Sequence, residues 1–303
     1  MKNTILQLIF TVILICSAVS AKRLTGLKIE SNATTVNVAE TVQLSVVGTY
    51  SDNSTNIVDE NITYIITPSD SAEMNGSVLT ALKDGSVTVQ AKVGTTLSNT
   101  LNLTITWIVD GHTLPPEPDP AVNNATLLGI DTNNNGVRDD VERWIYKKYD
   151  KYIPCTDKMV DYTLPNGKII KGVIETTCED KAIPYHPIVR AIAMQGARAA
   201  QIIIQEPEKA RETTKIMEDA LDCGVYFSDI KRNYNGKEYN IVENNALRES
   251  EGLIGICFNT VLRARAYAKH NFYLSGGVYY MSAYDEKLQG CNEEVHRLLE
   301  DLK

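Results

Sequence analysis

The chain has 303 residues, with 38 acidic side chains against 30 basic ones and a net charge of −8. That length can bury two separate cores. The acidic balance, without a basic patch to offset it, argues against nucleic acid or an anionic membrane as a partner. Of the six cysteines, Cys16 lies in the first residues and the other five lie between Cys155 and Cys291.

The first predicted element is a leader. Met1-Lys2-Asn3 carries one basic side chain, residues 5–16 are apolar, and Ser17-Ala18-Val19-Ser20-Ala21 are small. This is the three-part plan of a secretory signal peptide, 1–21, with Val19 and Ala21 placed for cleavage before Lys22. Its apolar core falls short of the roughly 20 residues a bilayer span needs. Ile15 is too bulky for the small residue expected before a lipidated cysteine at position 16. The expected location is periplasmic, or secreted and cell-surface, with no transmembrane segment in the mature chain. Export makes disulfides permissible.

Residues 24–106 read as short strands. The segments 41–47 and 86–91 alternate polar and apolar side chains, and 101–105 supplies a last strand. Turn signals recur at Asp52-Asn53-Ser54, Pro68-Ser69-Asp70, Asn75-Gly76, Lys83-Asp84-Gly85 and Gly94-Thr95. That spacing predicts an antiparallel sandwich. The runs Thr41-Val42-Gln43-Leu44, Gly48-Thr49-Tyr50-Ser51-Asp52, Gly76-Ser77-Val78-Leu79-Thr80-Ala81 and Gly85-Ser86-Val87-Thr88-Val89-Gln90-Ala91 resemble the bacterial Ig-like domains of group 2. The resemblance implies an all-β Ig-like sandwich over 22–107 and a cell-surface or periplasmic habitat. Tyr64 stands where that family often has a core tryptophan. No catalytic residue is implied, and a single copy serves as spacer or binding module alike.

Pro115, Pro116, Pro118 and Pro120, interleaved with acids, predict a semi-rigid linker over 108–121. Beyond it, 122–303 reads as a mostly α-helical domain. Ile188, Ile192, Gly196, Ala199 and Ile203 form one stripe; Cys257, Val261, Ala264 and Ala268 a second; Leu288, Cys291, Val295, Leu298 and Leu302 a third. One β-hairpin interrupts it, with strands over 159–164 and 169–177 about Pro165-Asn166-Gly167. The fold class is thus multidomain, an N-terminal all-β sandwich plus a mostly helical domain with one hairpin.

Residues 131–142 fit a calcium-loop pattern in full, with Asp131, Asn133, Asn135, Gly136 and Glu142 at positions 1, 3, 5, 6 and 12. Alternating oxygen side chains converge on one hard cation, and Gly136 permits the sharp turn. Val137 would offer its carbonyl, Asp139 would bind directly or through water, and Glu142 would close the shell with two oxygens. The loop resembles those of EF-hand and dockerin-like modules. It departs from them at Arg138, where an aliphatic residue is usual, and in lacking a helical pattern over 120–130. The alternative reading is an Asn/Gly turn capping a helix that starts near Val137. The expected cofactor is Ca²⁺.

Cys155 and Cys178 are mirror-related about Asn166-Gly167 and are expected to pair at the hairpin's base. Cys257 and Cys291 mirror each other about Ser275 and form a second expected pair, leaving Cys223 over, with Cys223–Cys257 as the alternative. The chain lacks a His-Glu-x-x-His pair, a Gly-x-Ser-x-Gly elbow, a phosphate loop and a dinucleotide glycine pattern. His112, His186, His270 and His296 are scattered one per element. Tyr273, Tyr279, Tyr280 and Tyr284 would either stack on sugars or pack a helix–helix turn. The function these readings favour is an extracytoplasmic binding or structural protein with a protein or glycan partner. The alternatives are a secreted enzyme acting on cell-wall or glycan substrates, and a secreted effector or inhibitor.

Overall fold

The computed structural model describes residues 22–242, 252–277, 282–284 and 286–302. The expected leader, Tyr279 and Tyr280 lie outside the described residues. The chain divides into two compact units, residues 1–105 and 106–303.

In the first unit ten strands run in order: β1 Leu24–Ser31, β2 Thr35–Asn37, β3 Thr41–Tyr50, β4 Thr55–Ile57, β5 Thr63–Thr67, β6 Ala72–Asn75, β7 Val78–Ala81, β8 Gly85–Val93, β9 Thr96–Leu97 and β10 Leu101–Thr106. They form two sheets, β1-β3-β7-β6 with β4 added to β3, and β2-β10-β8-β5 with β9 added to β8. Strict alternation decides which face is inside. Val42, Leu44 and Val46 of β3 and Val87, Val89 and Ala91 of β8 are buried, while their neighbours point outward. Leu79, Leu103 and Ile105 fill the space between, and Tyr64 packs half-buried against this core. Truncating Leu79, fully buried, costs roughly 2–5 kcal/mol.

The second unit is built on helices. It contains β11 Ile108–Val109, β12 His112–Thr113, α1 Pro120–Ala125, α2 Asp139–Lys148, β13 Lys151–Tyr152, β14 Cys155–Thr163, β15 Ile169–Cys178, β16 Ile183–Pro184 and α3 Pro187–Gln205. After a 3₁₀ turn at Pro207–Lys209 come α4 Ala210–Phe227, β17 Lys231–Tyr234, β18 Lys237–Asn240, α5 Leu253–Cys257, α6 Val261–Leu274, a 3₁₀ turn at Lys287–Gly290 and α7 Glu293–Glu300. α3 is the axis. Pro187 starts it, His186 Nδ1 accepts from Ile188 N at 3.3 Å, and Ala191, Ala193, Ala197, Ala199 and Ala200 let its neighbours approach closely. Its buried face is wider than the stripe the sequence predicts.

The residues expected to form a linker are folded into this unit. β11 and β12 pair through Val109 and His112. Leu114, Pro115 and Pro118 are buried, and Arg143 donates to the Pro115 carbonyl (2.8 Å) and to Glu117 (2.7 Å). Asp119 caps α1 by accepting from Ala121 N and Val122 N, so a short helix does precede the loop at 131.

The second predicted stripe does not survive. Thr260 accepts from Arg263 N (3.2 Å) and starts a new helix, which breaks the phase between Cys257 and Val261. Val261, Ala264 and Ala268 are exposed, and α6 instead buries Arg263 and His270. The third stripe does pack inward, with Cys291 and Val295 buried and Leu288, Leu298 and Leu302 half-buried. A second Asn-Gly turn, Asn235-Gly236, joins β17 and β18.

Candidate functional site

The loop at 131–142 is held open by its own side chains. Asp131 accepts from Asn135 N (3.2 Å) and Gly136 N (2.9 Å), and Asn135 Oδ1 accepts from Val137 N (2.9 Å). Asn134 has φ of 55° and Gly136 of 84°, left-handed positions that an Asn and a Gly adopt at least cost. Asp139 begins α2 with its N–H on the Ile130 carbonyl and its Oδ1 accepting from Thr132 N (3.0 Å). From α3, Arg198 donates to the Asn135 carbonyl at 3.0 Å, tying the loop to the helical axis.

Glu142 and Asp139 are both fully buried. Glu142 Oε2 receives the Asn135 amide at 2.6 Å and the Asn133 amide at 3.1 Å; its Oε1 lies 2.6 Å from His112 Nε2. Asp139 Oδ2 has no hydrogen-bond partner among the described residues. Burial pushes the Asp139 carboxyl above its ordinary range, and the charges of Asp131 and Glu142 push it further the same way. Val137 is buried beneath the loop. Among the described residues no three His, Cys, Asp or Glu side chains converge as a metal-holding group on their own. A cation here would therefore depend on the Asn oxygens and a backbone carbonyl as well.

Arg138, next to the loop's Val137, is fully buried. Its guanidinium is buried against Asp140 (2.9 Å), the Cys257 carbonyl (2.8 Å) and the Ile256 carbonyl (2.9 Å). Arg263 lies beside it, donating to the carbonyls of Leu127 (3.0 Å) and Asn123 (2.5 Å) and to Asn124 and Asn259. Burial first, then the charge of Arg138, lowers its pKa to about 10. Gly129 (φ 68°) fits between them: a Cβ there would meet Asn123 Oδ1 at 2.5 Å and Arg263 at 2.7 Å.

Cys155 and Cys178 face each other across β14 and β15 and form a disulfide. The expected Cys257–Cys291 pair gives way to Cys223–Cys291, with Cα atoms 4.8 Å apart. The reason is local. A Cβ at Gly290 would meet the Asp219 carbonyl oxygen at 2.7 Å, so the bare backbone lies directly on α4, one turn from Cys223. Cys257 is a buried free thiol whose pKa burial pushes up to about 12. Of the described tyrosines in that cluster, Tyr284 stacks on Tyr226 and Tyr273 meets Phe272 edge-on. His186 caps α3, His270 is buried in α6, and His296 is exposed on α7. Sequence reasoning passed over His112, whose contact with Glu142 spans 30 positions and leaves no local signal.

Residues 23–105 match the family model of the bacterial Ig-like domain (group 2). Domains 5-6 of the S-layer protein SbsC are a solved structure similar to this chain, with 14% identity and a TM-score of 0.24, covering 53% of this chain and 87% of that one. A longer S-layer SbsC structure matches at 13% identity and a TM-score of 0.25, covering 53% of this chain and 23% of that one. Superpositions at that level carry no argument for fold or function. No curated protein matches the chain. The N-terminal unit is therefore a bacterial Ig-like domain, and 106–303 is a disulfide-bonded helical unit outside that match. Among the described residues no helix is long and apolar enough to cross a membrane.

Proposed function

We propose that the chain is an exported, extracytoplasmic binding or structural protein in which an Ig-like domain is joined to a helical domain stapled by one Ca²⁺. The observation that carries the calcium reading is Asp139, fully buried, with Oδ2 unpartnered beside the buried carboxylate of Glu142. Buried carboxylates are costly unless paired or bound to a metal. Asp131, Asn133, Asn135, the Val137 carbonyl, Asp139 and Glu142 would give about seven oxygens, within the range calcium takes. The Asn133 and Asn135 amides would turn over, offering Oδ1 to the ion where Nδ2 now faces Glu142. A hard divalent cation would neutralise most of the crowding among three carboxylates. Magnesium, which demands a smaller octahedral shell, would compete poorly.

Export is supported by the leader pattern of 1–21, by the Ig-like domain and by two disulfides, which persist in oxidising compartments. Two assays test the reading together. N-terminal sequencing of the protein from its native host is expected to begin at Ala21 or Lys22, and retention of Met1 contradicts export. Equilibrium dialysis with radioactive calcium is expected to find one ion per chain at millimolar concentration; no bound ion contradicts the staple.

A further inference from the structure

The segment 107–118 is a strap lying along α2, and from it His112 reaches Glu142 of the loop at 131–142. Four contacts hold it. The Arg143 guanidinium lies 5.1 Å from the Trp107 ring centre. The same side chain grips Pro115 and Glu117 further along the strap. Asp110, in the tight β11–β12 turn, is ion-paired with Arg190 of α3. Arg190 in turn sits 5.3 Å over the Tyr146 ring. The fourth contact is His112, whose ring stacks on Tyr146 at 4.6 Å and 17°. Tyr146 follows Glu142 by one helical turn, so the stack aims the edge of the imidazole at the carboxylate. Nε2 reaches Glu142 Oε1 at 2.6 Å.

Resting on the calcium reading above, we propose that His112 is the positioning residue of the loop, coupling calcium binding to docking of the strap. An ionised carboxylate only accepts, so the ring nitrogen donates. One N–H on Oε1 fixes the carboxylate plane and leaves lone pairs on both oxygens for an ion. A bidentate ligand needs that fixed plane, and loss of such an outer partner costs about 10–100-fold in metal affinity. Because coupling free energy is reciprocal, an ion that prefers the oriented Glu142 also favours the docked strap. Docking of the segment that leaves the Ig-like domain is thus sensed at the metal.

The test is calorimetric calcium titration of the full exported chain as wild type, H112F and H112Q. Phenylalanine keeps a ring for Tyr146 and removes the donor; glutamine keeps a donor and removes the ring. The expected result is about 10–100-fold weaker binding in H112F and most of the affinity kept in H112Q. Protease cleavage between residues 106 and 119 is expected to slow with calcium in wild type and to lose that dependence in H112F. Wild-type affinity in H112F overturns the proposal, as does an equal fall in both variants, which assigns the effect to packing. Strap cleavage that ignores calcium in wild type overturns the coupling. If wild type binds no calcium, the calcium reading itself fails before either variant is compared. If H112F does not fold, H112L against H112Q gives the same contrast.

Discussion

Glu142→Gln separates the two ways the loop can be stable. In wild type Asp139 and Glu142 are both fully buried, and burial, then the charges of Asp131 and Glu142, raises the Asp139 pKa. With calcium at 100 times its dissociation constant, binding adds about 2.7 kcal/mol to the folded state. For a unit the size of residues 106–303, that is roughly 5–10 °C in melting temperature. The variant exchanges a bidentate anion for a neutral amide and loses that gain. In chelator the order changes, because removing one buried charge relieves Asp139, and the substituted glutamine still accepts from one amide through its oxygen. The expected pattern is therefore a crossover: wild type higher in calcium, the variant equal or higher in chelator. Differential scanning calorimetry in both buffers reads it. A variant that keeps the calcium-dependent rise refutes the ligand assignment. A variant that melts far below wild type in chelator refutes the argument from crowding.

Other residues make separate demands. His270 is buried, and burial, outweighing its contact with Asn271, holds its pKa below the ordinary 6.5. The unfolded chain therefore takes up the proton first as pH falls, and stability drops from about pH 6.5 downward; denaturant melts are expected to show a shallower loss in His270→Phe between pH 7 and 5. Cys223 and Cys291 are 68 positions apart, and replacing both with serine is expected to cost about 4 kcal/mol in urea unfolding. Cys155 and Cys178 close a hairpin with many exposed side chains, so their replacement is expected to speed protease cleavage between them while barely moving the main melting transition. Cys257, buried with its thiol pKa pushed up to about 12, is expected to resist alkylation at pH 8 until denaturant is added.

The Ig-like domain was legible because a half-buried strand writes its environment with period two. Val42, Leu44 and Val46 announce the inner face of β3 without reference to anything distant. The turn at 131–137 was legible for a related reason, since Asp131, Asn135 and Gly136, which shape it, are close in sequence. What stayed hidden depends on pairings across the chain. His112 needs Glu142 and Tyr146 before it means anything. The prolines of 108–121 read as a spacer, yet a single side chain, Arg143, turns Pro115 and Glu117 into an anchored strap. Mirror symmetry found the partner of Cys155, because a hairpin is local. The same reasoning failed for Cys257, because Thr260 breaks the helix and Gly290 brings Cys291 to α4 instead.

We propose that Asp131, Asn133, Asn135, Val137, Asp139 and Glu142 surround one calcium ion. A crystal structure of the chain grown in calcium, with an anomalous difference map, tests it at the atoms. The expected map has a peak beside Asp139 Oδ2, with oxygen distances of about 2.3–2.6 Å and Asn133 and Asn135 presenting Oδ1 to it. A map without that peak, with both amide nitrogens still on Glu142, would contradict it.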